Sequence, residues 1–196
     1  VAQSLGWQGI FWVLFAIGIV LMGMCVPFRE SLPKENRVKG SVWKAAHGFV
    51  DVFKIPEFRR YVAVFGLAYG VLFTYISSAS FIVQDHFGYS EIQFSLTFGT
   101  NAIIIAIGSG LAMKFKNMEN AALFSTAGMT IFSILLLISY FFTDSFLVYE
   151  GLTIISLFFL GFIFPSVTAL GMESGRKAVG AASAVLGAVG FACGGL

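Results

Sequence analysis

The sequence predicts an all-α membrane protein, and three of its features lead to this class. Hydrophobic residues make up 58% of the 196 positions and charged residues 11%, whereas soluble globular chains carry about 25% charged residues. Apolar runs of about 18 residues or more recur along the chain, and most are too long for a single cleaved signal peptide. The basic residues fall only in alternate connections between these runs. A bundle of membrane-spanning helices is therefore expected.

The apolar runs define six candidate spans. Each is long enough to cross about 30 Å of hydrocarbon as a helix, in which the backbone satisfies its own hydrogen bonds. The spans are predicted at 7–27, 61–83, 92–113, 121–142, 146–170 and 178–196.

The distribution of basic residues predicts the orientation of the chain. All twelve Lys and Arg residues lie after the first, third or fifth span, and the other connections have none. The positive-inside rule then places residues 28–60, 114–120 and 171–177 in the cytoplasm, with the chain starting outside. Because of this outside start, a first residue other than Met and an end without a polar flank, we expect further helices of the same chain on both sides.

The long connection 28–60 is predicted to contain an amphipathic helix. In "SVWKAAHGFVDVFKIPEF" the apolar residues follow helical spacing, and Pro56 supplies a stop. Such a helix would lie along the inner membrane surface and mediate between two bundles. A solvated linker with incidental periodicity is the alternative. The apolar stripe consists of Val42, Ala46, Phe49, Val50 and Phe53.

The connection between the second and third spans predicts a tight helical hairpin. In "GYSEIQF", Gly88 is suited to end a helix, and Ser90 with Gln93 three residues later forms a capping-box pattern.

The second span contains "FTYISSAS", an unusual density of hydroxyl groups in an apolar run. Its small residues recur every four positions, which predicts close packing against a neighbouring helix and hydroxyls bonded to local carbonyls. Tyr75 and Ser80 lie outside that stripe, and the depth of Tyr75 favours a wet cavity. The last span is also predicted to pack closely through its glycines, Gly180 and Gly187 among them. The stripe consists of Gly66, Gly70, Thr74 and Ser78.

Two further spans carry residues that are unusual in hydrocarbon. Asn101 lies in the middle of the third span, where its amide must face protein or water, so interhelical hydrogen bonding and cavity lining are both open. In the fifth span Pro165 removes a backbone hydrogen bond from the carbonyl of Gly161, which predicts a helix kink.

Several chemistries lack their signatures in this sequence. There is no P-loop, HExxH, GxSxG or clustered set of metal ligands, so we expect neither an enzyme nor a metal or cofactor site. No acidic or basic residue lies deep in a span, since Glu150 and Glu173 lie near span ends. Any proton-coupling carboxylate is therefore expected in helices beyond this chain.

Five stretches follow one another along the chain: "GWQGIFWVLFAIGIVL", "FRESLP", "GVLFTYISSASFIVQDHFGYSEIQFSLTFGTNA", "GFIFPSVTALGME" and "GAASAVLGAVGF". In this order they resemble the sixth to eleventh helices of the Bcr/CflA drug-efflux branch of the major facilitator superfamily. This resemblance implies a multidrug antiporter of the bacterial inner membrane, in which two six-helix bundles export bicyclomycin-like or chloramphenicol-like drugs in exchange for protons by alternating access. Residues 1–27 would end the first bundle, and 61–196 would supply five helices of the second.

The resemblance also implies a substrate cavity lined by the second and fifth spans, to which the interpretation of the third span adds Phe98 and Asn101. Two positions depart from the family pattern: Phe81 replaces a proline after Ser80, and Ser166 replaces an asparagine after Pro165. These changes leave the choice of substrate open. A major facilitator that takes up a small metabolite and a membrane scaffold without transport are the alternatives. The predicted cavity residues are Tyr75, Ser77, Ser80, Phe98, Asn101, Ser166 and Thr168.

Overall fold

The computed structural model describes residues 2–28 and 42–195, and those ranges consist of helices joined by short turns. Residues 29–41 of the predicted cytoplasmic connection and Leu196 lie outside the described residues. The chain divides into two compact units, Val1–Gly40 and Ser41–Leu196. In the first unit, helix α1 spans Ala2–Cys25, with a break in helical geometry at Gly6, whose φ is 67°.

The second unit contains helices α2 to α7. The chain continues from α3 into a π-helical turn, Phe81–His86, and a 3₁₀ turn, Arg176–Ala178, precedes α7. Within the described residues, six helical segments are long and apolar enough to cross a membrane, which confirms the six predicted spans. The helices are α2 (Val42–Phe53), α3 (Pro56–Ser80), α4 (Glu91–Ala112), α5 (Met118–Phe142), α6 (Phe146–Ser174) and α7 (Val179–Gly194).

Helix α6 is the central helix of the second unit. It packs against α3, α4, α5 and α7, and Leu160, Ile163 and Val167 on it are at most 2% exposed. These side chains join Phe58 of α3 and Leu186 of α7 in one apolar core. A helix in a membrane can be apolar all round whether it faces other helices or lipid, so the central position of α6 is shown by its contacts rather than by its sequence.

The predicted amphipathic helix is present as α2, which ends at Phe53, three residues before Pro56. Pro56 is the first residue of α3, a position where its missing N–H is not needed for the helix. Val52 of α2 is 2% exposed and packs in the core, whereas Phe49 and Phe53 remain exposed. The side chains of the other predicted stripe positions before residue 48 lie outside the described residues, and the membrane-surface location stays a prediction.

The predicted helical hairpin is confirmed in its details. Gly88 has a φ of 73°, a conformation that disfavours side chains. The backbone N–H of Gln93 donates to Ser90 Oγ at 3.4 Å, and that of Ser90 donates to Gln93 Oε1 at 2.9 Å. This capping box starts α4.

Candidate functional site

Helices α4 and α6 touch through their backbones at a pair of glycines. A Cβ on Gly108 would overlap the carbonyl oxygen of Phe158, and a Cβ on Gly161 would overlap that of Ile105. Small residues allow helices in a membrane to approach this closely. The crossing also fixes the relative position of the polar residues that precede Gly108 on α4 and Gly161 on α6.

A side chain of α4 compensates for the proline in α6. Pro165 has no N–H to donate to the carbonyl of Gly161, and Ser109 Oγ donates to that carbonyl instead, at 2.8 Å. Helix α6 is continuous through Pro165, and the predicted kink stays a prediction. The carbonyl of Gly161, which has no backbone donor because of Pro165, therefore links α6 to α4 through Ser109.

Ser109→Ala is expected to destabilise the second unit by about 1 to 3 kcal/mol, because the carbonyl of Gly161 loses its donor in a partly buried place. The midpoint of thermal unfolding of the purified protein measures this effect. Ser95→Ala is the matched control on α4, since Ser95 Oγ is exposed and donates to the carbonyl of Glu91 on its own helix. Equal midpoints for the two variants would contradict the role of Ser109.

A polar cluster joins α3 to α4 on the N-terminal side of this crossing. Asn101 is 1% exposed, and its Nδ2 donates to the Tyr75 hydroxyl at 2.9 Å. The ring of Tyr75 stacks on Phe98, with centroids 5.7 Å apart and an angle of 6° between the planes. Three of the predicted cavity residues therefore form one cluster, in which Asn101 makes the interhelical hydrogen bond that was one of its two predicted roles.

Tyr75 also lines a cavity of about 630 Å³ between α3, α5, α6 and α7. Its walls are mainly apolar, and hydroxyl groups project from both sides. Thr153 and Ser156 of α6 are 4% and 8% exposed, and neither hydroxyl has a hydrogen-bond partner. The other hydroxyl-bearing residues of the wall are Thr74, Tyr75, Ser78, Ser133 and Tyr149.

The whole chain, residues 1–196, matches the family model of the Major Facilitator Superfamily. The chain belongs to this superfamily. Its members are transporters rather than enzymes, in agreement with the expectation from the missing catalytic motifs. The described helices are accordingly those of a multi-pass membrane protein.

Two relatives show how much of a major facilitator this chain represents. It is 28% identical over 188 residues to an uncharacterized MFS-type transporter, YdgK, of Bacillus subtilis (strain 168), a match that covers 92% of this chain and 46% of that protein. It is 25% identical over 118 residues to a bicyclomycin resistance protein homolog of Haemophilus influenzae, covering 59% of this chain and 29% of that protein. The chain thus spans less than half the length of these relatives. No solved structure matches it.

Four further residues predicted for the cavity of this major facilitator chain do not line the cavity between α3, α5, α6 and α7. Ser77 is exposed and donates to the carbonyl of Thr74 at 3.1 Å. Ser80 accepts from Gln84 Nε2 at 2.8 Å, and Thr168 is half-buried on α6. The prediction for Ser166 needs correction, because this residue is 0% exposed and donates to the carbonyl of Phe162 at 2.8 Å.

The small-residue stripe of α3 packs against α7 through its two glycines. A Cβ on Gly66 would lie 2.9 Å from Cys193 Sγ, and one on Gly70 would lie 3.4 Å from the carbonyl oxygen of Cys193. All four residues of the stripe also line the cavity. The hydroxyls of Thr74 and Ser78 donate to the carbonyls four residues earlier, at 2.8 and 2.7 Å, as the sequence predicted.

The close packing predicted for the glycines of α7 is present at Gly190 and Gly194, and for Gly180 and Gly187 it stays a prediction. A Cβ on Gly180 or Gly187 would have no neighbour within 4 Å, whereas one on Gly190 would lie 3.2 Å from the ring of Tyr69. Gly194 is similarly close to a ring of α3. The contacts that a Cβ on these glycines of α3 and α7 would make with the other helix involve residues 189–194 of α7.

Thr153 and Ser156 were not predicted as site residues. They are three positions apart in an apolar helix, which places them on neighbouring parts of one face. Hydroxyls in such helices usually bond to a local carbonyl, and nothing in the sequence marks these two as exceptions.

Proposed function

We propose that this chain forms part of a transporter that exports small amphiphilic drugs across the bacterial inner membrane in exchange for protons. The observation that carries the proposal is the cavity of about 630 Å³, with apolar walls and a few hydroxyl groups. Its volume lies within the range of about 300 to 1,000 Å³ typical of sites for drug-sized ligands. An apolar surface with few polar groups suits molecules that vary in shape but share an amphiphilic character.

The hydroxyl groups of the wall give the cavity its hydrogen-bonding capacity. A hydroxyl can donate one hydrogen bond and accept others, and Thr153 and Ser156 of α6 are among the residues of this wall. Among the described residues that line this cavity, none is charged. The site therefore favours uncharged, oxygen-rich or amide-rich molecules over metabolites that need an ion pair.

The name of one relative, a bicyclomycin resistance protein homolog, supports a role in drug resistance. In this proposal residues 28–60, 114–120 and 171–177 face the cytoplasm, because they carry the basic residues. Further helices of the same chain complete the transporter, and the proton gradient supplies the energy, with no bound cofactor.

The test measures accumulation of chloramphenicol-like and bicyclic antibiotics in a drug-hypersensitive bacterium that expresses the protein as its gene encodes it. Lower accumulation that a protonophore abolishes is the expected result. Unchanged accumulation over the whole panel would contradict drug export and favour uptake of an ordinary metabolite.

We expect Thr153→Val to weaken the export of at least one drug of the panel, because valine keeps the shape of threonine and removes its hydroxyl. The measurement is the accumulation assay at equal membrane abundance. Thr100→Val is the matched control, since Thr100 is exposed on α4 and its hydroxyl donates to the carbonyl of Leu96. If both variants transport every drug like the wild type, the hydroxyl of Thr153 does not bind substrate.

A further inference from the structure

A second cavity, here called the outer cavity, lies where the π-helical turn after α3 and the end of α5 meet the start of α6. Its volume is about 520 Å³, and His86, Phe87, Asp144 and Tyr149 are among the residues of its wall. This volume is again typical of sites for small molecules. The turns at this end of the bundle contain no Lys or Arg, so the positive-inside rule predicts that they face the outside. The residues that line both this cavity and the one of about 630 Å³ are Ile82, Ser133, Leu136 and Tyr149.

The wall of the outer cavity contains a carboxylate that a histidine holds in place. His86 Nε2 lies 2.7 Å from Asp144 Oδ1, and because a carboxylate only accepts hydrogen bonds, the imidazole is the donor. The bond joins the turn after α3 to the turn between α5 and α6. A carboxylate has two oxygens with about four lone-pair sites, so this hydrogen bond leaves Asp144 able to bind a further donor or cation.

The charge of this carboxylate is not offset by a lysine or an arginine of the wall. Residues 61–113 and 117–175, which include every described residue of the wall, contain neither. His86 is the one basic residue among them that lines the cavity, and it is charged only when protonated. With His86 neutral, the outer cavity therefore has a negative charge in its wall.

Aromatic rings lie beside the His86–Asp144 pair. Phe87 packs edge to face against His86, with ring centroids 4.7 Å apart, and its centroid lies 5.6 Å from that of Tyr149. Both Phe87 and Tyr149 line the outer cavity. The faces of aromatic rings attract cations, more strongly where water is excluded. A carboxylate and aromatic rings in one cavity are the combination that binds an organic cation.

We propose that the outer cavity binds amphiphilic organic cations, in which an ammonium or phosphonium group is attached to an apolar body. The positive group pairs with the carboxylate of Asp144 and contacts the rings of Phe87 and Tyr149. The apolar body packs against the leucine and isoleucine side chains of the same wall. A free drug and the headgroup of an aminophospholipid both present this chemistry.

This site differs from the one in the proposed function by the charge of its ligand. The cavity of about 630 Å³ has no charged residue among the described residues of its wall, whereas the outer cavity has Asp144. The two cavities are neighbours, but binding of a cation to the outer one requires no transport. The inference therefore does not rest on the proposed function.

Equilibrium dialysis of the purified protein, as its gene encodes it, against tetraphenylphosphonium measures cation binding. Alkaline buffer keeps imidazole groups neutral, and triphenylphosphine oxide is an uncharged probe of similar chemistry. We expect Asp144→Asn to weaken cation binding about 2- to 5-fold, because Asp144 is 78% exposed and exposed charge pairs are weak. Binding of the uncharged probe should not change. Asp85→Asn is the matched control, since Asp85 is exposed in the same turn as His86 and does not line the cavity.

Tyr149→Leu tests the aromatic part of the site. We expect it to weaken cation binding about 2- to 30-fold, the range of a lost contact between a cation and a ring, and to affect the uncharged probe less. Tyr89→Leu is the matched control, because the ring of Tyr89 packs against Phe146 with centroids 4.3 Å apart and does not line the outer cavity.

Three results would overturn the site: equal cation affinity of the wild type and Asp144→Asn, an equal loss for both probes, or an equal loss in Asp85→Asn. Added phospholipid separates the two sources of the ligand. Displacement of the cation by phosphatidylethanolamine but not by phosphatidylglycerol would support a lipid headgroup as the occupant, and no displacement would support a free drug. Cation binding as expected without export of any drug would leave the site standing and contradict the proposed function. Drug export without charge-dependent binding would do the reverse.

Discussion

Gly161→Leu is expected to abolish the folded second unit. The Cβ of any side chain at this position would overlap the carbonyl oxygen of Ile105, and backbone atoms of a helix do not move aside as a flexible side chain does. Helices α4 and α6 would have to separate, which would also break the hydrogen bond from Ser109 to Gly161. We expect a loss of about 4 kcal/mol or more, in the range that single substitutions rarely reach.

The measurement is the amount of protein in the membrane and the fraction that stays monodisperse after extraction into detergent. Gly151→Leu is the control on the same helix, because a Cβ there meets nothing within 4 Å and leucine favours a helix over glycine. A Gly161→Leu protein with the abundance and melting temperature of Gly151→Leu would show that the two helices do not touch as described.

This glycine contact shows where sequence reasoning ends for such a chain. The six spans were predictable because hydropathy sums over many residues, and the capping box of Ser90 because it depends on residues three apart. Helical periodicity also groups residues by face. It does not say which face meets which helix, so nothing in the sequence pairs Gly161 with Ile105, or Asn101 with Tyr75.

The hydroxyl groups illustrate the same limit. Serine and threonine in a membrane helix can bond to a local carbonyl or face a cavity, and the sequence does not distinguish these choices. Ser166 was predicted for the cavity and makes the local bond, whereas Thr153 was not predicted and keeps a free hydroxyl. The difference depends on the neighbours of α6, which are set by packing over the whole unit.

Tyr75→Phe is expected to reduce drug export about 5- to 150-fold while membrane abundance stays near that of the wild type. Phenylalanine keeps the stack on Phe98 but removes the oxygen that accepts from Asn101. An unpaired amide donor in a place that is 1% exposed costs about 1 to 3 kcal/mol. Where this cost falls on one of the two states between which the transporter alternates, it shifts their equilibrium by this factor. Tyr75→Ala should have the larger effect, since it removes the ring as well.

The rate of drug efflux per transporter, measured in cells with matched abundance, tests this expectation. Tyr140→Phe is the control, because Tyr140 is 77% exposed and the same hydroxyl loss there should leave the rate unchanged. Full activity of Tyr75→Phe with loss in Tyr75→Ala would assign the role to the stacked ring rather than to the hydrogen bond. Full activity of Tyr75→Ala at equal abundance would remove Tyr75 from the substrate site.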